Sequence, residues 1–109
     1  MLPAVERAHI DPAKVRDYLL SPVHPVGRFK AVVFQALGYK AEEWEKLRDD
    51  LLALARTTEA VSGQASTFGR KYEVSGTLRG PNGREARITS VWLAPSGDEA
   101  PRFITAFPG

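Results

Sequence analysis

The sequence predicts an α+β protein: three N-terminal helices packed on a C-terminal antiparallel β-meander. Two observations carry this. Apolar residues recur at helical spacing up to Thr57, and from Arg70 onward the pattern changes to alternation broken by turn residues. Helices segregated before strands place the helices over one face of the sheet. The length of 109 residues fits a single domain over 1–109, with a helical half at about 11–57, a loop at 58–69 and a sheet half at 70–108.

Residues 1–10 read as an irregular lead-in. Asp11-Pro12 starts the first helix, with Asp as N-cap and Pro at the first helical position. Val15, Tyr18 and Leu19 share a face, and Ser21-Pro22 ends the helix. The second helix runs from His24-Pro25 to Leu37. Phe29, Val32, Val33, Ala36 and Leu37 form a stripe expected to face the core. Gly38 stops this helix as a left-handed cap, closed by Tyr39. The third helix covers about 41–57, with Trp44, Leu47, Leu51 and Leu54 as its buried stripe. Thr58 to Gly69 has no periodicity and reads as a loop. Lys71–Arg79, Arg84–Ala94 and Arg102–Phe107 are the expected strands, joined by turns at Gly80-Pro81-Asn82-Gly83 and Ser96-Gly97-Asp98.

Composition excludes several function classes. There is no cysteine, so disulfide scaffolds, thiolate metal sites and thiol catalysis are ruled out. His9 and His24 are fifteen residues apart without metal-ligand spacing, so no metal is expected, and no Gly-rich loop joins a strand to a helix, so no cofactor is expected either. Uncharged stretches are too short to span a bilayer, and charges interrupt any signal-like run in the first twenty residues. The reading is a cytoplasmic protein without membrane partners. The net charge of +2 does not by itself indicate nucleic-acid binding. Ten of the fifteen basic residues are Arg, which favours bidentate contacts to phosphate or carboxylate.

Two groups of residues can carry chemistry. His24 stands at the entry to the second helix, where Gly27, Arg28, Ala31 and Gln35 share its expected face as a cleft wall. Gly27 inside a helix signals close approach of a backbone or ligand. The plain alternative is that His24 caps the helix and Gly27 packs against the sheet. The strand half supplies Arg70, Lys71, Tyr72, Arg87, Ser90, Trp92 and Arg102, a set able to hold a phosphodiester and stack bases. The plain alternative there is a sheet face kept soluble by charge. Whether Trp92 lines an open groove or faces the helices stays open.

The stretch Tyr18-Leu19-Leu20-Ser21-Pro22-Val23-His24-Pro25-Val26-Gly27-Arg28-Phe29-Lys30, together with Gly69-Arg70-Lys71-Tyr72, Gly80-Pro81-Asn82-Gly83-Arg84 and the tail Arg102-Phe103-Ile104-Thr105-Ala106-Phe107-Pro108, resembles a small bacterial domain family of unknown function. More remotely, the order of elements and the tail resemble the barnase, EndoU, colicin and RelE group of metal-independent ribonuclease toxins. That resemblance implies a cleft between helices and sheet, and attack of a ribose 2′-OH on the adjacent phosphate. It assigns His24 as base or acid, Lys30 or Arg28 as a phosphate cation, and Arg102 and Thr105 as phosphate contacts. Position 107 is Phe where such tails usually carry Tyr. The implied partners are an RNA substrate and a small acidic antitoxin or immunity protein. Two other readings stand beside it: a non-catalytic module binding protein or RNA, with His24 structural, and an antitoxin or immunity protein.

Overall fold

Asp11 opens the helical region by accepting the Ala13 N–H on Oδ1 at 2.9 Å. The computed structural model describes residues 2–96 and 100–109. Helix α1 (Pro12–Lys14) runs directly into a π-helical turn, Val15–Leu19, closed by the Leu20 N–H on the Val15 carbonyl at 2.9 Å. Ser21 Oγ then accepts the N–H groups of Val23 and His24, at 3.3 and 3.1 Å, which fixes the connection to helix α2 (Gly27–Ala36). Gly38, at φ +97°, ends α2, with its N–H on Gln35 and that of Tyr39 on Phe34. Helix α3 (Trp44–Thr57) follows a 3-10 turn at Ala41–Glu43.

Strands β1 (Ala60–Ser66), β2 (Gly69–Arg79), β3 (Glu85–Pro95) and β4 (Arg102–Pro108) form one antiparallel sheet in that order. The α+β class stands, but the expected arrangement is corrected. The segment expected as a loop at 58–69 holds a strand, with Ala60 opposite Val74 and Ser66 opposite Gly69, so the sheet has four strands. Nearly all of β1 is exposed, so no buried face imposes an apolar alternation on its sequence. Nor do the three helices form a layer on a meander. Helix α3 packs on β2, whereas α1, α2 and the π turn gather beside β4.

The lead-in is ordered too. His9 bridges to Arg102 in parallel, with its N–H on Pro101 and its carbonyl accepting from Phe103, both at 3.1 Å. Leu2, Ala8 and Ile10 enter the core. Gly97 and Asp98 of the expected turn lie outside the described residues.

Trp92 faces the helices and is fully buried. Its ring stacks edge-on against Phe103 at 5.4 Å, and its Nε1–H donates to Ser90 Oγ at 2.9 Å. Ser90 in turn donates to the Val74 carbonyl at 3.3 Å. Phe34, Leu19, Leu47, Leu51, Val74 and Ile88 complete the centre of the core.

Two local features position the site. Val91 pairs with Thr105 but Trp92 pairs with Phe103, so Ile104 is an extra residue on β4. This bulge replaces the plain alternation expected for 102–107 and lets Phe103 and Ala106 both face the core. Helix α2 is also turned about its axis from the expected orientation. Gly27, Ala31 and Phe34 are buried, while Phe29 and Val32 are 67% and 68% exposed. The cause is steric. A Cβ on Gly27 would overlap the Tyr18 carbonyl, so only the face bearing small residues approaches the π turn this closely.

Candidate functional site

A cleft of about 660 Å³ opens between the α1 region, the segment before α2 and the bulge of β4. Its walls include Asp11, Lys14, Tyr18, His24, Val26 and Thr105. Tyr18, on the π turn, is its centre. The Tyr18 hydroxyl shares a hydrogen bond with Thr105 Oγ1 at 3.2 Å. The His24 ring meets the Tyr18 ring edge-on, 4.9 Å between centroids. Two ammonium groups flank that ring, Lys14 Nζ at 6.0 Å and Lys30 Nζ at 5.9 Å from its centroid. Lys30 Nζ also lies 5.6 Å from the Phe107 ring and donates to the Ala106 carbonyl at 3.1 Å. An ammonium has three N–H donors, so two remain for another acceptor.

His24 has a defined role in the backbone. Its Nδ1 accepts the N–H groups of Val26 and Gly27, at 3.1 and 3.0 Å, and so caps the start of α2. With Nδ1 an acceptor, the proton of the neutral ring belongs on Nε2. Nε2 makes no hydrogen bond among the described residues. On its second nitrogen neutral His24 thus carries a hydrogen-bond donor rather than a lone pair, at a helix N-terminus whose dipole favours negative charge nearby.

Two carboxylates border the same cleft. Asp11 Oδ1 is engaged by the Ala13 N–H at 2.9 Å. Asp17 is held by Arg16 through two hydrogen bonds of 3.0 and 2.9 Å. The hydrogen bonds from Arg16 keep the Asp17 carboxyl below its ordinary range, so it stays ionised. Among the described residues, no three His, Asp or Glu side chains gather as a metal-ligand group.

The residues singled out from sequence therefore separate. His24, Lys30 and Thr105 converge around Tyr18. Arg102 is exposed and lines a neighbouring depression with His9, which meets the cleft at Asp11, Lys14 and Ile104. Arg28 is exposed and does not line the cleft; its guanidinium sits 4.8 Å from the Phe29 ring centre. Arg70 donates to the Gly63 carbonyl at 2.8 Å and, with Tyr72, lines a different cavity of about 460 Å³. Lys71 and Arg87 are exposed on the sheet and border neither the cleft nor that cavity. Ser90 and Trp92 are fully buried and out of a substrate's reach, because Trp92 faces the helices. Tyr18 was the functional candidate the apolar pattern hid. It shares a helical face with Val15 and Leu19, and only the π turn and its threonine partner set it apart.

Fold and site together define a small α+β domain with an open cleft between its N-terminal helices and its last strand. The chain belongs to a family described as a domain of unknown function (DUF6883), whose model matches residues 1–109. No curated protein matches it. Among solved structures it is similar to a chain of a contact-dependent growth inhibition toxin–immunity protein complex from Klebsiella pneumoniae 342. The identity is 20%, the TM-score 0.73, and the likeness covers 96% of each chain. At that identity the likeness establishes a shared fold. No helix among the described residues is long and apolar enough to cross a membrane.

Proposed function

We propose that this domain is a toxin-like endoribonuclease that cleaves RNA by attack of a 2′-OH on the adjacent phosphate. One observation carries the reading: His24, the Tyr18–Thr105 hydroxyl pair and Lys14 line one open cleft, with the Lys30 ammonium 5.9 Å from the centre of the Tyr18 ring. Those are the groups needed to hold a phosphodiester and stabilise the charge of a phosphorane. The fold shared with a chain of a toxin–immunity complex adds support.

In this reading the cleft binds the scissile phosphate against His24 Nε2–H, Lys14 and Lys30, with the Tyr18 and Thr105 hydroxyls as further donors. The second oxygen of Asp11 accepts the 2′ proton. The 2′ oxygen bonds to phosphorus as the bond to the 5′ oxygen breaks. The departing oxygen takes a proton from a cleft ammonium, leaving a 2′,3′-cyclic phosphate and a 5′-hydroxyl. Arg102 and His9 in the adjoining depression would contact a neighbouring phosphate. A small acidic antitoxin or immunity protein would restrain such an activity in its host.

The test is incubation of the purified chain with single-stranded RNA and tRNA in the presence of a chelator. Fragments are expected from the wild type, and His24→Asn and Lys30→Gln each lower the rate about 10²- to 10³-fold. No fragments, or equal rates in all three proteins, contradict the reading. A second reading, a non-catalytic or immunity module, is favoured by the Asp11 and Asp17 carboxylates, which repel phosphate. It predicts wild type and variants alike to be inert toward RNA and harmless in cells.

A further inference from the structure

We propose that the outward face of α2 is the docking surface for a protein presenting an apolar ridge flanked by carboxylates, and that this protein closes the adjacent cleft. Phe29 and Val32 are 67% and 68% exposed on the helix, and Val23 and Val26, in the segment leading into it, are 82% and 54% exposed. The other side of α2 is already buried through Gly27, Ala31 and Phe34. A helix apolar on both sides belongs in an interior, yet the fold covers only one side. Exposed apolar residues clustered in this way mark an interaction surface, whereas scattered ones do not.

The patch is continuous with the cleft. Val26 lines it together with His24, and Val23 lines the next depression along. A body that covers Val26 as well as Phe29 and Val32 meets the wall of the cleft.

Charge and size select the occupant. Arg28 sits 4.8 Å from the Phe29 ring centre on the same helix, and Lys14 and Lys30 flank the Tyr18 ring at the cleft. A carboxylate beside the partner's apolar ridge meets Arg28 next to Phe29, and one reaching past Asp11 and Asp17 meets Lys14 at the cleft. A second copy of this chain, docked about a two-fold axis through the apolar patch, would bring Arg28 beside that patch against its own symmetry mate. Ten helical residues span about 15 Å, and contact along that length buries roughly a few hundred Å². A stable interface needs about 800 Å² per partner, so the occupant extends past α2, and the cleft is the surface next to it. The occlusion half of this proposal rests on the cleft being a nuclease site; the docking half does not.

The probes are two synthetic amphipathic helical peptides with the same leucine-rich face, one flanked by Glu and one by Lys, titrated onto the full chain by fluorescence anisotropy. The Glu-flanked peptide is expected to bind about tenfold tighter than its Lys counterpart, and the variant Phe29→Ser/Val32→Ser to lose about tenfold of that affinity. The variant should keep the wild-type melting temperature and cleave RNA within about twofold of the wild-type rate. Bound Glu-flanked peptide should slow RNA cleavage by the wild type. No saturable binding, equal affinity for the two peptides, or unchanged binding by the variant overturns the docking surface. Dimerisation of the unliganded wild type, abolished in the variant, overturns the assignment of its occupant. Selective binding that leaves cleavage unaffected overturns occlusion. If the wild type cuts no RNA while the Glu-flanked peptide still binds selectively, the docking surface stands and the nuclease reading falls.

Discussion

In the proposed mechanism His24 joins two tasks in one side chain, and they are separable. Its Nδ1 terminates two backbone N–H groups of α2, at 3.1 and 3.0 Å, which leaves only Nε2 for chemistry. Asn retains a capping oxygen but lacks the imidazole N–H. His24→Asn should therefore keep the stability of the fold within about 0.5 kcal/mol while abolishing most activity. His24→Ala should lose about 1 kcal/mol as well, measurable by urea denaturation. The place of His24 at the entry to a helix was legible in the sequence, as was the capping role given there as its plain alternative. Its tautomer was not, since that depends on which backbone amides reach Nδ1. Asp17 titrates in the opposite sense from a buried acid. Its folded pKa is depressed by the hydrogen bonds from Arg16, so any stability it adds is present above the unfolded value of about 3.9 and is lost as pH falls through the lower folded value. Arg16→Gln should move the Asp17 titration to higher pH, read by NMR of its carboxyl carbon.

At the scale of elements, α2 and β1 depart furthest from what periodicity suggested, for different reasons. The α2 sequence carries an apolar stripe on each side, so hydrophobic spacing alone could not choose between them. Gly27 decides, because only the face bearing it fits against the Tyr18 carbonyl. Phe34→Ala should thus cost about 3–5 kcal/mol, and Phe29→Ser within about 0.5 kcal/mol, the reverse of what the stripe through Phe29 implies. Strand β1 was hidden because its side chains are exposed and its pairing is carried by backbone. Where caps and turns carry the signal, the sequence was explicit: Asp11, Gly38 and the Gly80–Gly83 turn all act as their residue types predict. Helix α3 is tied to the sheet by Tyr39, whose hydroxyl donates to Asp50 at 2.6 Å and to the Arg79 carbonyl at 3.3 Å. Burial, reinforced by the Asp50 carboxylate, pushes the Tyr39 phenol well above its ordinary value. The neutral form is the one the fold favours. Its contribution is complete below the unfolded value of about 10 and declines as pH rises beyond it. Tyr39→Phe should flatten the alkaline decline in melting temperature while lowering stability at neutral pH by about 1 kcal/mol.

In the whole molecule, the cleft exists because segments distant in sequence meet: Tyr18 and Thr105 are 87 positions apart and Lys30 and Ala106 are 76 apart. Periodicity carries no information about such pairings, which is why Lys30 and Thr105 entered only through a resemblance of motifs. The arginines of β2 and β3 looked like a second half of the site because a meander gathers them, yet the sheet turns Trp92 inward and leaves Arg87 away from the cleft. The central claim is that the cleft uses the 2′-hydroxyl of RNA as its nucleophile. The most direct measurement compares one RNA oligonucleotide with its all-deoxy counterpart under chelator, with product ends read by mass spectrometry. The account predicts fragments ending in a 2′,3′-cyclic phosphate from the RNA alone, lost with His24→Asn. Cleavage of the deoxy strand, or 5′-phosphate ends from the RNA, would contradict it.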